Sequence, residues 1–457
     1  MTMTLSREFV NMLHGLEFDA LSPAAIEAAK NRCIDYLGAL AGGINGPLAR
    51  PMQDAHAASS CQSNDCTVLC THLRGSSTEA ALLNGIAGHT LELDDGDRRA
   101  YGHPAVVVFS GLFPVAEALH ASGRDFLRAT AVGYEAFARI GQAANPGMLQ
   151  RGFHTTGTAG ALATAMAVGS LRQLDADALL NALGVAGLCS SGLCITFRKG
   201  STLKHFNAGR AAFNGVSAAA MAAMGAQGAD DILEGKDGFF QAYSGQEPSR
   251  DILLAPLGGK PFAVEGSYIK FYPSCRYTHA PIDAALALRQ RIPLEEVREI
   301  AITTYPTAVR LTAQPHLPHD SPSSRFNMGF AVCLAYVQGE VHIPDFCKEK
   351  ADDPRIQELF GKITYAEDAS MDNAANNVRG AHMRVTATDG RSEEIYVPLP
   401  VGEPENPAPA ERYAAKFASL SADVWSRERR EAILATIGRM ESLPDMGELV
   451  RLLTPDR

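Results

Sequence analysis

The sequence predicts a mainly α-helical protein with a second, α+β domain, and three observations lead there. Much of the chain up to Gly259 is Ala, Gly and Ser in helical runs. From about Tyr268, short runs alternate apolar and polar residues. Arg412–Leu453 then reads as helix again. At 457 residues the chain exceeds what one core needs, so two domains are expected.

The elements follow in order. Leu21-Ser22-Pro23 supplies a cap and a first-turn proline for a helix through Leu40, with Ala28, Cys33, Leu37 and Leu40 near helical spacing. The run Cys66–His72 is a candidate strand, and Ser77-Thr78-Glu79 opens a helix toward His89. Ala159–Gly169, Ala182–Gly187 and Ala208–Met224 form small-residue helices whose backbones approach closely, with Met166, Met221 and Met224 filling gaps. Arg298–Thr304, Met383–Thr388 and Glu393–Val397 alternate as half-buried strands do, and Asp389-Gly390 predicts a hairpin. Helices are expected at Ile282–Arg291 and Phe326–Val337. Pro398–Pro409 reads as a crossing linker that returns the C-terminal helices to the first domain.

Composition narrows the function. Apolar residues at 46% and charged residues at 20% describe a globular protein, not a disordered tail. The formal charge of -10 argues against nucleic-acid or anionic-membrane partners, which need a positive field. A small anionic substrate needs only a local basic pocket. Met1–Leu16 carries Glu8 and His14 and lacks the features of a signal peptide. Ala159–Leu171 and Val216–Gly225 fall short of the roughly 20 residues a membrane span requires. Nine cysteines, mostly in apolar surroundings, read as reduced thiols of a cytoplasmic protein. Cys61, Cys66 and Cys70 near His72 lack the usual zinc spacing and read as ordinary thiols beside a strand.

Four segments could carry chemistry. Glu92-Leu93-Asp94-Asp95-Gly96-Asp97-Arg98-Arg99, followed by His103-Pro104, is either a solvated loop with capping aspartates or an acid/base cluster. Gly152-Phe153-His154-Thr155-Thr156-Gly157 sets an imidazole before a small-residue helix. Arg198-Lys199, Lys204 and Arg210 concentrate cations in an acidic chain, as a carboxylate or phosphate clamp would, or as a basic surface loop would. Lys270, Cys275, Arg276 and His279 fall at the proposed domain junction, where small-molecule sites tend to lie.

Taken together, the order His89-x-x-Glu92-Leu93-Asp94-Asp95, His103-Pro104, Gly152-Phe153-His154, Lys204 with Gly209-Arg210-Ala211-Ala212, Ile232-Leu233-Glu234-Gly235, and Lys270 with Tyr272-Pro273-Ser274-Cys275 and His279 resembles the MmgE/PrpD family. The likeness runs from about Leu16 to Leu453. It implies an all-helical domain of residues 1–266 and 405–457, an α+β lid of residues 267–404, and a homodimer. It also implies a lyase that dehydrates or decarboxylates a small di- or tricarboxylate without metal or organic cofactor; alternatives are an epimerase of an imino- or amino-dicarboxylate and a carboxylate-binding protein without catalysis. Carried over by position, His103, His154, Asp94, Asp95, Lys204 and Lys270 would be catalytic, and Glu92, Arg210, Cys275, Arg276 and His279 would bind substrate. Where decarboxylating members carry a histidine and a tyrosine, this chain has Cys275 and, near the later lid helix, Phe330; Gly96-Asp97-Arg98-Arg99 also departs from the dehydratases' D-T-W pattern.

Overall fold

The computed structural model describes residues 3–59, 63–197, 202–258, 261–373 and 378–456. Most of the chain is a body of packed helices. Their starts follow from local capping: Ser22 caps Pro23–Gly43, and Ser76 with Glu79 forms a reciprocal capping box on Ser77–His89. At the centre lies Thr155–Leu171, every residue of which is buried. Such a helix needs small side chains on all sides, which its Ala, Gly and Thr content provides.

Close approach fixes how Ser77–His89 crosses Leu203–Ala223. A Cβ at Gly85 would stand 2.6 Å from the Gly209 Cα, and one at Gly209 would overlap the Leu82 carbonyl oxygen. Only glycine on both helices permits this contact. It brings the start of Leu203–Ala223 beside the end of Ser77–His89. Met166 is buried among these helices as expected, whereas Met221 and Met224 are exposed and fill no gap. The Cys66–His72 expectation shrinks to a two-residue strand, Cys66–Thr67, paired with Arg74–Gly75. Burial raises the Cys70 thiol well above its ordinary pKa and Cys66 to about 12; Cys61 lies outside the described residues.

A second buried cluster runs from Tyr272 to Ala387. It is built on a four-stranded sheet in the order Ile363–Glu367, Val297–Thr304, Ala381–Ala387, Ser392–Val397. The last two strands form the expected hairpin, and Gly390 takes the left-handed φ of +91° its turn requires. Ile363–Glu367 pairs in parallel with Val297–Thr304 and was not foreseen. Helices His279–Leu288 and Met328–Gln338 pack into this core, with Ala308, Phe346, Ile356 and Leu359 from shorter segments. Phe417, Trp425, Ile433 and Leu449 join the first cluster, so the C-terminal helices pack on the helical body. Among the described residues, no helix is long and apolar enough to cross a membrane.

The Gly85–Gly209 crossing yields a stability test. Gly209→Ala is expected to cost about 1–3 kcal/mol by overpacking. Gly438→Ala, where an added Cβ meets nothing within 4 Å, should be neutral or slightly stabilising in urea unfolding.

Candidate active site

The site is built around the turn that ends Ser77–His89. Glu92 takes a left-handed φ of 56°, a strained value for a non-glycine residue. Three consecutive carbonyls of this turn are held by cations from remote segments. Arg325 Nη1 donates to Leu91 O, Lys270 Nζ to Glu92 O at 2.9 Å, and Lys416 Nζ to Leu93 O at 2.8 Å. The Glu92 side chain turns to Lys204, whose Nζ bonds both carboxylate oxygens, while Lys270 Nζ stands 3.6 Å from Oε2. Burial alone would raise the Glu92 pKa. Lys204, with His89, Lys270 and His103, overcomes it and holds the carboxyl well below the usual range. Burial lowers the Lys270 pKa, and Glu92 and Asp94 oppose that shift.

The acidic run divides its labour. Asp94 Oδ2 accepts from His89 Nδ1 at 2.8 Å and lies 3.6 Å from His103 Nδ1. Burial penalises its charge, but His89 and His103 outweigh that and keep it ionised. Asp95 faces the other way. Its carboxylate accepts the Ala105 N–H at the start of Pro104–Leu119 and the Tyr134 hydroxyl at 2.8 Å. Burial pushes its pKa up to about 7, and the group works as a helix cap. Asp97 likewise caps its own loop by accepting from Arg99 N and Ala100 N.

His103 precedes Pro104 and serves as the N-terminal boundary of that helix. Its Nδ1 lies 2.5 Å from Asp95 O, an atom that can only accept. The hydrogen-bond pattern therefore assigns the proton to Nδ1 and leaves the Nε2 lone pair as the basic atom. Burial, with Lys270, His89 and Lys204, pushes its pKa down to about 3, so the ring is neutral near pH 7. His154 begins Thr155–Leu171, and Asn207 Nδ2 lies 3.3 Å from its Nδ1. With that amide donating, neutral His154 carries its proton on Nε2. The ring centroid of His89 lies 5.0 Å from His103, 6.1 Å from His154 and 6.0 Å from His205, so the buried His89 ring backs three imidazoles of one wall.

These groups border a cavity of about 1030 Å³ between the helical body and the α+β unit. Glu92, His103, His154, Lys204, Lys270, Cys275 and Arg276 line it, as expected of site residues. Asp94 and Asp95 stand behind the wall. Arg276 is neutralised by Glu403 at 2.7 Å and donates to His279 Nδ1, leaving His279 fully buried and away from the cavity. Arg210 is half-buried against Phe206 and does not reach the cavity either. Phe330 is buried beside Phe346 in the second core. Arg198 and Lys199 lie outside the described residues. Sequence reasoning missed His205 and Arg325 as lining residues; His205 follows Lys204 directly, but no spacing signal marks Arg325.

Among the described residues, ligand atoms of His89, Glu92 and His103 come within 4.8 Å of one another. Glu92 is already saturated by Lys204 and approached by Lys270, and two ammonium groups oppose a further cation there. The trio reads as part of an anion site.

The model of the MmgE/PrpD N-terminal domain matches residues 7–251, and that of the C-terminal domain matches residues 272–440. A cis-aconitate decarboxylase of Aspergillus terreus (strain NIH 2624 / FGSC A1156) is 27% identical over 82% of this chain and 80% of its own. The Homo sapiens cis-aconitate decarboxylase is 25% identical over 99% and 95%. A 2-methylcitrate dehydratase of Cupriavidus necator is 24% identical over 93% of each.

Desolvated imidazoles make stability pH-dependent. Burial pushes His205 down to about 3, so below pH 6.5 the unfolded chain takes up a proton that the folded one refuses. Stability is therefore lost as pH falls from about 6.5 toward 3. His205→Gln is expected to lower the slope of unfolding free energy by about 1.4 kcal/mol per pH unit between pH 6 and 4. Urea unfolding across that range measures it.

Proposed function

The chain belongs to the MmgE/PrpD family, and we propose that it is a cytoplasmic lyase that breaks a bond next to a carboxylate in a small di- or tricarboxylate. One observation carries this reading. A neutral imidazole, His103, with its proton fixed on Nδ1, lines the same cavity as buried Lys204, Lys270 and Arg325, which outnumber Glu92; Asp97, another carboxylate of the lining, is paired with Arg99. That excess of positive charge suits a polyanion.

The mechanism follows from the parts. Lys204 and Lys270 pair substrate carboxylates and stabilise the enediolate-like charge that develops when a C–H or C–CO₂⁻ bond breaks. Glu92 fixes both ammonium groups in place before substrate arrives, so little reorganisation is needed. His103 Nε2 accepts or returns the proton at carbon, and the Asp94 carboxylate stabilises the imidazolium that forms. His154, with its proton on Nε2, supplies the donor for a leaving hydroxyl or for the carbanion. Dehydration and decarboxylation share this machinery, and the relatives' names support both. Cys275 on the wall and Phe330 in the lid core replace groups expected of decarboxylating members, which turns attention to substrates other than cis-aconitate.

A second reading is epimerisation of an imino- or amino-dicarboxylate. It is favoured by two imidazoles of opposite tautomer on one cavity, since inversion needs a base and an acid. The chain also acts as a homodimer. Supporting this, Leu188 and Met221 are exposed on the Ala176–Cys189 and Leu203–Ala223 helices, and Leu193, Ile195 and Met224 are exposed in the segments next to them in sequence.

Proton NMR in D₂O with cis-aconitate, 2-methylcitrate and iminodisuccinate offered separately tests the activity. A new product with loss of substrate supports the lyase; deuterium exchange without a new compound supports the epimerase. His103→Ala should lower kcat/KM by about 10²–10⁴-fold with the fold retained. Light scattering is expected to give twice the chain mass, and Leu188→Glu to shift it toward the monomer. Binding of substrate with neither turnover nor exchange would leave a carboxylate-binding protein.

A further inference from the structure

The three cations that hold the Leu91–Leu93 carbonyls differ in one respect. Lys416 also bonds Asp35 at 2.5 Å, and Lys270 stands 3.6 Å from the Glu92 carboxylate. Arg325 has no carboxylate within 4.0 Å among the described residues, although it is only 9% exposed and lines the cavity. Among the described residues its one side-chain hydrogen bond uses Nη1, and the other guanidinium donors have no hydrogen-bond partner there. A buried cation without a counter-charge is costly unless something else supplies it. Burial already lowers the Arg325 pKa, and Glu92, too far for an ion pair, offsets this only in part.

Position says what the missing partner is. Arg325 comes from the α+β unit, lines the cavity and reaches Leu91 of the helical body. The ring of its neighbour Phe326 lies 5.3 Å from Lys204 Nζ, and the Cys275 N–H donates to the Arg325 carbonyl at 2.8 Å. The guanidinium reaches the turn of the helical body from the α+β unit, at the carbonyl next to the one that Lys270 holds. Its planar fork suits a carboxylate held by two parallel hydrogen bonds.

We infer that Arg325 binds an additional substrate carboxylate, beyond those held by Lys204 and Lys270. The inference rests on the polycarboxylate reading and deepens it: the preferred substrate is a tricarboxylate, and the third charge is read by Arg325. The competing account is that Arg325 only props the Leu91 carbonyl.

Calorimetric titration of the full chain separates the two, using propane-1,2,3-tricarboxylate and glutarate, which differ by the central carboxylate. Wild type is expected to bind the tricarboxylate at least ~10-fold more tightly, and R325Q to cut that preference to about 2-fold, with glutarate affinity changed less than about 3-fold. R325K should retain part of the preference, because it keeps the charge and loses the fork. Should R325Q fail to fold by thermal melting, the preference ratio of R325K decides. A ratio unchanged in the variants, both ligands weakening together, or a wild type that does not distinguish the ligands would each overturn the inference. A wild type that binds neither ligand overturns the polycarboxylate reading itself, and the inference with it.

Discussion

Everything in this molecule that bears on chemistry depends on how the Leu91–Leu93 turn is held. Arg325, Lys270 and Lys416 each donate to one of three successive carbonyls, and they come from the α+β unit, the domain junction and the C-terminal helices. The turn is strained at Glu92, and that strain persists only because the surroundings over-determine it. Lys204 completes the arrangement from a fourth segment by pairing with the Glu92 side chain. Removing one partner from such a buried pair typically costs about 3–5 kcal/mol, since an uncompensated charge remains. The same bonds therefore close the fold and preset the site.

The histidines gain their chemistry from this frame. Ammonium groups next to desolvated imidazoles keep those rings neutral, and a neutral ring can take a proton. Asp94 then has two partners, His89 at hydrogen-bond distance and His103 slightly farther. A carboxylate so placed stabilises whichever imidazole becomes charged. The neighbouring Asp95 shows how much environment matters. One residue along, it meets a helix N-terminus and a tyrosine hydroxyl, and becomes a cap.

The helical body was largely legible in the sequence because its signals are local. Ser22-Pro23 caps its helix where expected, the helix expected from Ser77 begins there with Ser76 as its cap, and small-residue runs mark the helices that pack closely. The hairpin at Asp389-Gly390 was equally local. Ile363–Glu367 was missed because its parallel partner lies some sixty residues away in sequence and its own residues are mostly exposed. Met221 and Met224 were read as core because hydrophobicity says nothing of which helix face is covered. In the site, ordered motifs pointed to Glu92, His103, His154, Lys204 and Lys270. Arg325 carried no such signal, since its value comes from a counter-charge it lacks, and that is visible only in three dimensions.

The departures in the Gly96–Arg99 segment find a physical account in the same terms. Arg98 bonds Glu403 at 2.5 Å and Glu405 at 2.9 Å, while Arg276 bonds Glu403 from the other side. A loop of the body is thereby tied to the Pro-rich linker that leaves the α+β unit, through a carboxylate shared by two arginines. Gly96 also bridges Tyr268 by backbone hydrogen bonds, and the Arg276 guanidinium lies over the Tyr268 ring at 4.3 Å. Of the charges that break the dehydratases' pattern, Arg98 is thus spent on the joint between the two units, while Asp97 and Arg99 pair with each other. Arg276 lines the cavity but is spoken for by Glu403, whereas Arg325 is not paired with any carboxylate among the described residues. Two arginines on one wall thus divide structure from recognition according to which of them already has its counter-ion.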